Sequence, residues 1–325
     1  MKIAVLGSGS WGSALSIHFG RNGFDVVQWC REREVSEEIN SFRENRTFLP
    51  GFKYPENVRA TSSVERALEG VEIVFSVIPT QFTASFWREK RKPLSEKLLI
   101  CASKGIDIEN LKTLSELYGE IFGSLENYYV LSGPTFAKEI ASGLPAAAVV
   151  SNENLERALK LVKLLNTPSF RLYASSDVKG VELGGALKNV IAIATGISDG
   201  MGFGNNARAA LITRGLHEIK RLGRALGARE ETFYGLSGVG DLVLTCTGDL
   251  SRNRQFGISI AKGDRREGNF VVEGVYTVKA VHELSKRLKV EMPISGAVYR
   301  IIYDGVEPKE IIGELLSRPV KEESS

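Results

Sequence analysis

A glycine-rich turn near the start of the chain constrains its fold more than any other feature. The apolar run Ile3–Leu6 leads into Gly7-Ser8-Gly9-Ser10-Trp11-Gly12, and an amphipathic stretch, Ser13–Asn22, follows. A GxGxxG pattern between a strand and a helix is typical of dinucleotide binding. The first glycine permits the tight turn, the second lets the backbone approach a pyrophosphate, and the third lets the helix pack on the strand. The free N–H groups of the helix start would bind the phosphates, although a tight turn without a ligand is the alternative.

The rest of the first half alternates short apolar runs with amphipathic segments. Further strands are predicted at Val26–Trp29, Ile73–Ile78, Leu98–Ala102, Tyr128–Leu131 and Ala146–Ser151, with Phe170–Ala174 as an additional edge strand. Continuous apolar strands that alternate with helices indicate βαβ units and a mostly parallel sheet that is covered on both faces. The first half is therefore predicted to be an α/β domain of the Rossmann type.

After about Asp177 the apolar residues recur at helical spacing instead. Helices are predicted at Val181–Ile197, Ala207–Leu226, Asn253–Lys262, Val275–Leu288 and Pro308–Leu316. For 325 residues, two domains are the natural expectation. We predict a dinucleotide-binding domain over residues 1–178, followed by an all-helical substrate-binding and catalytic domain over residues 179–325.

Composition excludes several classes of protein. Lys and Arg total 42 against 39 Asp and Glu, so the net charge of +3 gives no reason to expect binding to nucleic acid or to a membrane surface. The three cysteines lie far apart without CxxC spacing, which argues against a disulfide framework and a thiolate metal site. No apolar run reaches the roughly 18 residues of a membrane span. We expect a cytoplasmic protein without a metal.

The residues after the second predicted strand bear on the choice between NAD and NADP. Arg31 lies about 20 residues beyond the glycine turn, where an arginine accommodates a 2′-phosphate and an acidic residue binds the ribose hydroxyl. Arg31 therefore favours NADPH, while Glu32 beside it leaves NAD open. A solvated helix start with alternating charges is the alternative reading.

Two lysines lie in unusual surroundings. Lys188 belongs to Gly184–Ala192, a stretch that is otherwise apolar or small, where desolvation would lower its pKa and let it exchange a proton with a forming alkoxide. A lysine with a buried stem and a solvated head is the alternative. Lys104 and the segment Ser132–Ala137 each follow a strand end, where open α/β sheets bind ligands. We expect these two segments to form walls of one crevice.

The string Ser251-Arg252-Asn253-Arg254 lies at a predicted helix start. A hydroxyl, a guanidinium fork and free helix N–H groups together suit a phosphate dianion. The alternative is an N-cap with solvated arginines. A dinucleotide, an acid/base lysine and a phosphate anchor together indicate a nicotinamide enzyme that acts on a small phosphorylated alcohol or ketone.

Six strings spread over the chain resemble those of the bacterial NAD(P)-dependent glycerol-3-phosphate dehydrogenase family, in the family's order. They are Gly7–Gly12, Ser103–Gly105, Gly133–Glu139, Gly184–Ala192, Gly238–Thr247 and Ser251–Phe256. The resemblance implies reversible hydride transfer between sn-glycerol 3-phosphate and NAD(P)+, which gives dihydroxyacetone phosphate and NAD(P)H. It also implies a supply of glycerol 3-phosphate for phospholipid synthesis, and a homodimer.

The resemblance further implies roles for individual residues. Lys188 matches the proton-transferring lysine and Asn189 its neighbour near the nicotinamide, with Lys104 and Asp241 completing the catalytic set. Substrate positions are Lys104, Gly133, Thr135, Lys188, Asp241, Ser251, Arg252 and Asn253. Cofactor positions, beside Gly7, Gly9 and Gly12, are Ser10, Trp11, Arg31, Lys104, Ala137, Arg252, Val271 and Glu273.

Physical roles accompany this match. Arg252 and Asn253 would hold the phosphate and so fix the C2 carbonyl relative to the nicotinamide. Asp241 would pair with a catalytic lysine and oppose the fall of its pKa on burial, and the sequence leaves open which effect dominates. Cys30 departs from the glycine expected after Trp29, which bears on the shape of the adenosine pocket.

Two other functions fit parts of the pattern. A β-hydroxyacid dehydrogenase has the same domain order and a Lys/Asn motif, and would use Ser251–Asn253 to bind a carboxylate. A redox sensor would bind NADPH and a partner protein without turnover. The presence of Lys188, Lys104 and Asp241 together argues against the sensor.

Overall fold

The computed structural model describes residues 1–264 and 271–316. These residues contain ten strands: β1 (Lys2–Leu6), β2 (Asp25–Trp29), β3 (Glu44–Asn45), β4 (Leu49–Lys53), β5 (Val58–Thr61), β6 (Ile73–Ser76), β7 (Leu98–Cys101), β8 (Tyr128–Ser132), β9 (Ala146–Ser151) and β10 (Phe170–Ser175). The helices of the first half are α1 (Ser10–Arg21), α2 (Arg33–Phe42), α3 (Val64–Leu68), α4 (Thr80–Glu89), α5 (Arg91–Leu94), α6 (Leu114–Phe122), α7 (Ala137–Ser142) and α8 (Leu155–Leu165). Those of the second half are α9 (Val178–Gly200), α10 (Gly204–Ala225), α11 (Asp241–Thr247), α12 (Arg252–Ala261), α13 (Glu273–Leu288), α14 (Pro293–Tyr303) and α15 (Pro308–Leu316), with short helical turns at Glu230–Tyr234 and Leu236–Gly240.

Eight strands form one sheet in the order β10-β9-β8-β7-β6-β1-β2-β5. Every neighbouring pair is parallel except β8 and β9, which run antiparallel. The prediction of a mostly parallel, Rossmann-type sheet is confirmed, and so is β10 as an edge strand. The opposite edge, β5, was not predicted because Val58–Thr61 is short and half-polar, as an edge strand can be.

The burial of β1 shows why the central strands are continuously apolar. Ile3 and Val5 point into the core shared with α1, while Ala4 and Leu6 point into the core on the other face. Successive side chains of a strand alternate between faces, so a strand that is covered on both sides buries all of them and is mostly apolar. The predicted ends at Ile78 and Ala102 were slightly long, since β6 ends at Ser76 and β7 at Cys101.

In the described part of the second half, α9 is the central helix, and α10 to α14 pack around it. All of its residues from Gly180 to Ser198 are buried. By length and composition alone α9 would be long and apolar enough to cross a bilayer, but its most apolar 18-residue stretch is buried inside the protein. It is therefore the core helix of this region. It begins at Val178 rather than the predicted Val181, because the Asp177 carboxylate accepts a hydrogen bond from the Gly180 N–H and caps the first turn.

The helix α14 was not predicted from the sequence, and its N-terminus shows why. The residue before it, Met292, has no side-chain acceptor for the free N–H groups of a helix start. The carboxylate of Glu218, on α10, accepts hydrogen bonds from the Ile294 and Ser295 N–H groups and from the Ser295 hydroxyl instead. Pro293 at the first helical position is a local signal for a helix start, but the cap itself comes from 76 residues away in the chain and has no local pattern.

Candidate active site

The three glycines of the first loop have different surroundings. A Cβ atom on Gly7 would lie 2.9 Å from the Val77 carbonyl oxygen, and one on Gly12 would collide with the Gly7 carbonyl. A Cβ atom on Gly9 would have no atom of the described residues within 4 Å. Packing within the protein therefore requires Gly7 and Gly12 but not Gly9. The open space at Gly9 is what the close approach of a pyrophosphate requires.

The start of α1 is also suited to phosphate. Gly9 is its N-cap and supplies no side-chain hydrogen bond, so the first N–H groups of the helix have no capping side chain. Buried Asn45 donates to the Ser8 carbonyl (2.8 Å) and to the Ser13 hydroxyl (2.9 Å), which holds the loop from below. Ser10 donates to the Phe48 carbonyl at 2.7 Å. The residues present fit a dinucleotide, and sequence reasoning missed the support from Asn45.

The residues after β2 are exposed where the sequence predicts the adenosine end. The Arg31 side chain is 75% exposed and forms a 2.9 Å ion pair with Glu32. A separate exposed pair joins Arg33 to Glu37 one turn along α2, as the solvated-helix alternative expects. Cys30 is fully buried, and burial raises the pKa of its thiol to about 12. Cys30 therefore packs in the core beneath this end of the loop.

Two lysines share one buried carboxylate. Lys188 Nζ donates to Asp241 Oδ1 and, at 2.7 Å, to the Thr245 hydroxyl. Lys104 Nζ donates to Asp241 Oδ2 at 2.7 Å and to the Gly133 carbonyl at 3.0 Å. Lys188 is only 6% exposed and Asp241 only 1%. The snorkelling alternative for Lys188 is wrong, since its ammonium group is buried and paired.

Four segments supply this lysine cluster, which consists of Lys104, Gly133, Lys188, Asp241 and Thr245. Two glycines let α9 lie close to the segments around it. A Cβ atom on Gly184 would collide with the Ser237 carbonyl, and one on Gly185 would lie 2.6 Å from the Ser132 hydroxyl. The segments after β7 and β8 do form walls of one site.

Burial has the largest effect on the pKa of Lys188. It lowers this pKa to about 8; the Asp241 carboxylate opposes the fall and the Lys104 ammonium adds to it. Desolvation therefore dominates, which answers the question that the sequence left open. Thr245, one helical turn after Asp241, was not among the predicted site residues. The Asp-x-x-x-Thr spacing on α11 was the only sequence signal for it.

Asn189, next to Lys188 on α9, is held by a chain of side-chain contacts. Asn253 Nδ2 donates to Asn189 Oδ1 at 3.0 Å, and the Gly274 N–H donates to Asn253 Oδ1 at 2.9 Å. The Asn253 amide thus connects α9, α12 and the start of α13.

The remaining residues of the predicted phosphate seat have different roles in the structure. Ser251 is the N-cap of α12 and accepts from the Arg254 N–H, and buried Arg254 forms ion pairs with buried Asp199 and exposed Asp249. The alternative of an N-cap is thus confirmed for Ser251, while that of solvated arginines is wrong for Arg254. Arg252 is exposed and makes no side-chain hydrogen bond or ion pair within the parts of the chain that the structure describes. Its guanidinium group is available to a ligand.

Glu273, the first residue of α13, lies against the loop after β6. The Thr80 N–H donates to its Oε1 at 3.3 Å, while its Oε2 and the Thr80 hydroxyl are buried without a hydrogen-bond partner in residues 1–264 and 271–316. Burial raises the pKa of Glu273 to about 7, and the Thr80 contacts and the charge of Arg252 oppose the rise. Two unsatisfied polar atoms at a strand end are consistent with a ligand-binding role.

The other predicted positions lie around the same sheet edge. The Thr135 hydroxyl donates to the Gly133 carbonyl at 3.1 Å, and Ala137 begins α7. Trp11 packs against the core beneath the glycine loop, with a buried indole N–H that has no partner within the described residues. Val271 is half-buried just before α13. Within the same residues, no group of three or more His, Cys, Asp or Glu side chains is arranged to hold a metal ion.

Comparisons with known proteins agree along the whole chain. Residues 2–158 match the family model for the NAD-dependent glycerol-3-phosphate dehydrogenase N-terminus, and residues 177–313 match the model for its C-terminus. A glycerol-3-phosphate dehydrogenase [NAD(P)+] of Nitratidesulfovibrio vulgaris is 49% identical over 99% of this chain and 100% of its own length. One from Geobacter sp. is 46% identical over 99% of this chain and 98% of its own. The crystal structure of glycerol-3-phosphate dehydrogenase from Coxiella burnetii superposes with a TM-score of 0.92 at 37% identity, covering 98% of this chain and 99% of that one.

Proposed function

The chain belongs to the NAD-dependent glycerol-3-phosphate dehydrogenase family, and we propose that Lys188 moves the proton in the reaction it catalyses. That reaction interconverts sn-glycerol 3-phosphate and dihydroxyacetone phosphate by hydride transfer with NAD(P)+ and NAD(P)H. The nicotinamide, when bound, supplies or accepts the hydride. The chain's own residues must then hold the C2 carbon in place and exchange a proton with its oxygen.

The observation that carries the assignment is the environment of the Lys188 amine. It is buried, its pKa is lowered to about 8, and Asp241 and Thr245 hold it in one direction. An amine with a pKa near the working pH is an effective general acid and base. In reduction the ammonium form donates a proton to the forming alkoxide. In oxidation the neutral amine accepts the proton from the C2 hydroxyl.

Lys104 is the second cation of the cluster. Its hydrogen bond to Asp241 draws part of that carboxylate's charge away from Lys188, and its own charge lowers the Lys188 pKa. We assign Lys104, Gly133 and Thr135 to the wall that contacts the substrate, with Lys104 also reaching the cofactor. We assign Asn189 to the nicotinamide side of the cluster.

The phosphate of the substrate is assigned to Arg252 and the first turn of α12. Arg252 offers a guanidinium group without a partner among residues 1–264 and 271–316, and the N–H groups of Arg252 and Asn253 lie in the part of the helix that has no intrahelical acceptors. The Asn253 side chain is already bound to Asn189 and Gly274, so its direct contact with phosphate stays a prediction. The assignment of Ser251 also stays a prediction, since its hydroxyl caps α12.

The dinucleotide is assigned to the open face of the loop Gly7–Gly12, with Trp11, Ala137, Val271 and Glu273 around it. Arg31 favours a 2′-phosphate and hence NADPH, while its contact with Glu32 keeps NAD(H) in use as well. Steady-state kinetics that compare NADH with NADPH measure this preference.

Some wider features also belong to this proposal. We assign residues 1–178 to the dinucleotide-binding domain and 179–325 to the catalytic domain; in support, the N-terminal family model ends at residue 158 and the C-terminal one begins at residue 177, within two residues of that boundary. The protein is proposed to be a cytoplasmic homodimer that does not bind nucleic acid and supplies glycerol 3-phosphate for phospholipid synthesis. Its cysteines are unpaired, in agreement with a reducing compartment. Light scattering of the purified chain tests the dimer.

The function is tested by supplying dihydroxyacetone phosphate and a series of 3-oxo acids in turn, each with NADPH and with NADH. Reduction of dihydroxyacetone phosphate, and of none of the oxo acids at a comparable kcat/KM, is the expected result. Turnover of an oxo acid alone would favour the β-hydroxyacid dehydrogenase. NADPH binding without turnover of any substrate would favour the redox sensor.

A further inference from the structure

Arg254 belongs to the string that the sequence singled out for phosphate, yet its side chain is committed elsewhere. Its Nε donates to Asp199 Oδ2 at 2.7 Å and its Nη1 donates to Asp249 Oδ1 at 2.8 Å. The side chains of Arg254 and Asp199 are only 8% and 7% exposed, whereas that of Asp249 is 91% exposed. Asp199, near the end of α9, also accepts from Arg208 on α10. A buried charge pair in this position requires an explanation, because burial of such pairs contributes little to stability.

The place where α9 and α12 come closest has a glycine on each helix. A Cβ atom on Gly196 would collide with the Arg254 carbonyl, and one on Gly257 would collide with the Ile193 carbonyl. Small residues let two helix backbones approach closely. A crossing of bare backbones sets the distance between two helices. How one helix is shifted or rotated along the other depends also on the contacts on either side of the crossing.

Two polar contacts lie on either side of this crossing and restrict the shift and rotation of α12 along α9. Asn253 binds Asn189 on one side, and Arg254 binds Asp199 on the other. Asn189, Gly196 and Asp199 are separated by seven and three residues, a spacing that places them on one face of α9. Both contacts are directional, and buried polar contacts are known to specify register where apolar packing does not.

We propose that Asp199 and Arg254 are positioning residues that set how α12 lies on α9, and thereby where Arg252 holds the substrate's phosphate. The proposal rests on the assignment of Arg252 to the phosphate. Asp199 lies 11 residues beyond Lys188 on α9, about 16 Å along the helix, so it acts on the substrate only through α12. Arg252 is two residues from Arg254 in the first turn of α12, so a shift of this turn moves its guanidinium group relative to Lys188.

The test uses the full chain with Asp199→Asn, which keeps the shape of the side chain and removes its charge. We expect KM for dihydroxyacetone phosphate to rise about tenfold with kcat within about twofold, because uniform binding of the phosphate is weakened and the acid/base group is untouched. The constant for competitive inhibition by inorganic phosphate should rise by the same factor. The pH dependence of kcat/KM, which reports Lys188, should keep its midpoint.

Two variants are matched controls. Asp249→Asn removes the exposed partner of the same Arg254, and Arg208→Gln removes the 23%-exposed partner of the same Asp199. Both should leave KM and kcat within about twofold of the parent values, because the Asp249 contact is exposed and the loss of Arg208 leaves the contact between Asp199 and Arg254 in place. Arg254→Lys keeps the charge but loses the guanidinium group that donates to both carboxylates. It replaces Asp199→Asn in the test if that variant does not fold.

The outcomes distinguish a failure of the positioning role from a failure of the proposed function. If the parent chain reduces dihydroxyacetone phosphate and the variants of the buried pair leave its KM unchanged, the positioning role is wrong. A fall in kcat as large as the rise in KM, together with a shifted midpoint in the pH dependence of kcat/KM, would also overturn it, because these changes indicate general loosening of the site. If the parent chain does not turn over dihydroxyacetone phosphate, the proposed function itself fails.

Discussion

The glycine loop and the lysine cluster both lie at the carboxyl edge of the main sheet, but they are built differently. The loop is one contiguous run, and its properties come from backbone groups and from the absence of a side chain at Gly9. The cluster is drawn from residues between 104 and 245, and its properties come from charges that are buried together. A contiguous site depends on local shape, whereas an assembled one depends on electrostatics and on the packing of distant elements.

This difference predicts two kinds of sensitivity. Substitutions in the loop should act through steric access of the cofactor and leave the proton transfer alone. Substitutions in the cluster should act on turnover and on its pH dependence and, except at Lys104, which also reaches the cofactor, leave cofactor binding alone. The predictions below test this division.

The largest effect is expected from Lys188→Ala. Loss of the proton-transferring amine should lower kcat by about 10³-fold, within the range for general acid–base groups, while NADPH binding is retained. Lys179→Ala is the control, since Lys179 is on the same helix but is half-exposed and pairs with Glu116. Near-normal turnover of Lys188→Ala, measured by steady-state kinetics, would place the acid/base group elsewhere.

Gly9→Ala tests the opposite half of the comparison. The added methyl group meets no atom of the described residues but occupies the space assigned to the pyrophosphate, so KM for NADPH should rise by about tenfold or more while the unfolding midpoint is unchanged. Gly296→Ala is the control, because Gly296 is also unobstructed and lies within α14. A fall in thermal stability with unaltered KM would show that Gly9 serves the fold.

The pH dependence tests the electrostatic half in the unaltered protein. Reduction needs the ammonium form of Lys188, so kcat/KM should fall as pH rises above about 8, whereas oxidation needs the amine and should rise through the same value. In each limiting arm the change should approach about tenfold per pH unit.

Lys104→Gln sharpens that test. Because the charge of Lys104 lowers the Lys188 pKa, its removal should move the midpoint upward in whatever activity remains. A midpoint that moves downward would contradict the arrangement of two lysines on one carboxylate.

The smallest effect is expected at Arg31. Arg31→Ala should raise KM for NADPH about fivefold and leave KM for NADH nearly unchanged, as one exposed charge-assisted contact is lost. Arg33→Ala, an exposed arginine paired with Glu37 on α2, should change neither value. Equal effects of Arg31→Ala on both cofactors would mean that it does not read the 2′-phosphate.

The sequence predicts local features of the fold and of the site better than features assembled from distant residues. The strands β1 and β6 to β9 are predicted within two residues at each end, since strands buried on both faces are continuously apolar. The glycine loop is recognisable from the sequence because its functional residues form one short, contiguous segment. The helix α14 is missed because its cap, Glu218, comes from another helix.

Within the cluster, the apolar context of Lys188 indicates a lowered pKa, but the shared use of Asp241 is not visible in the chain. Thr245 and the pair Asp199–Arg254 are missed because they depend on how α11 and α12 approach α9. Interactions between residues far apart in sequence leave no periodic signal, so only the folded chain shows them.

The helix α9 also limits how the length of this chain can change. Lys188 meets α11, while Asn189, Gly196 and Asp199 meet α12, all from one continuous, buried helix. One residue inserted between Lys188 and Asp199 would rotate one end against the other by about 100° and separate the amine from the carboxylate partner of α12. Natural insertions and deletions among chains of this kind are therefore expected in the loops around α9 and not within it.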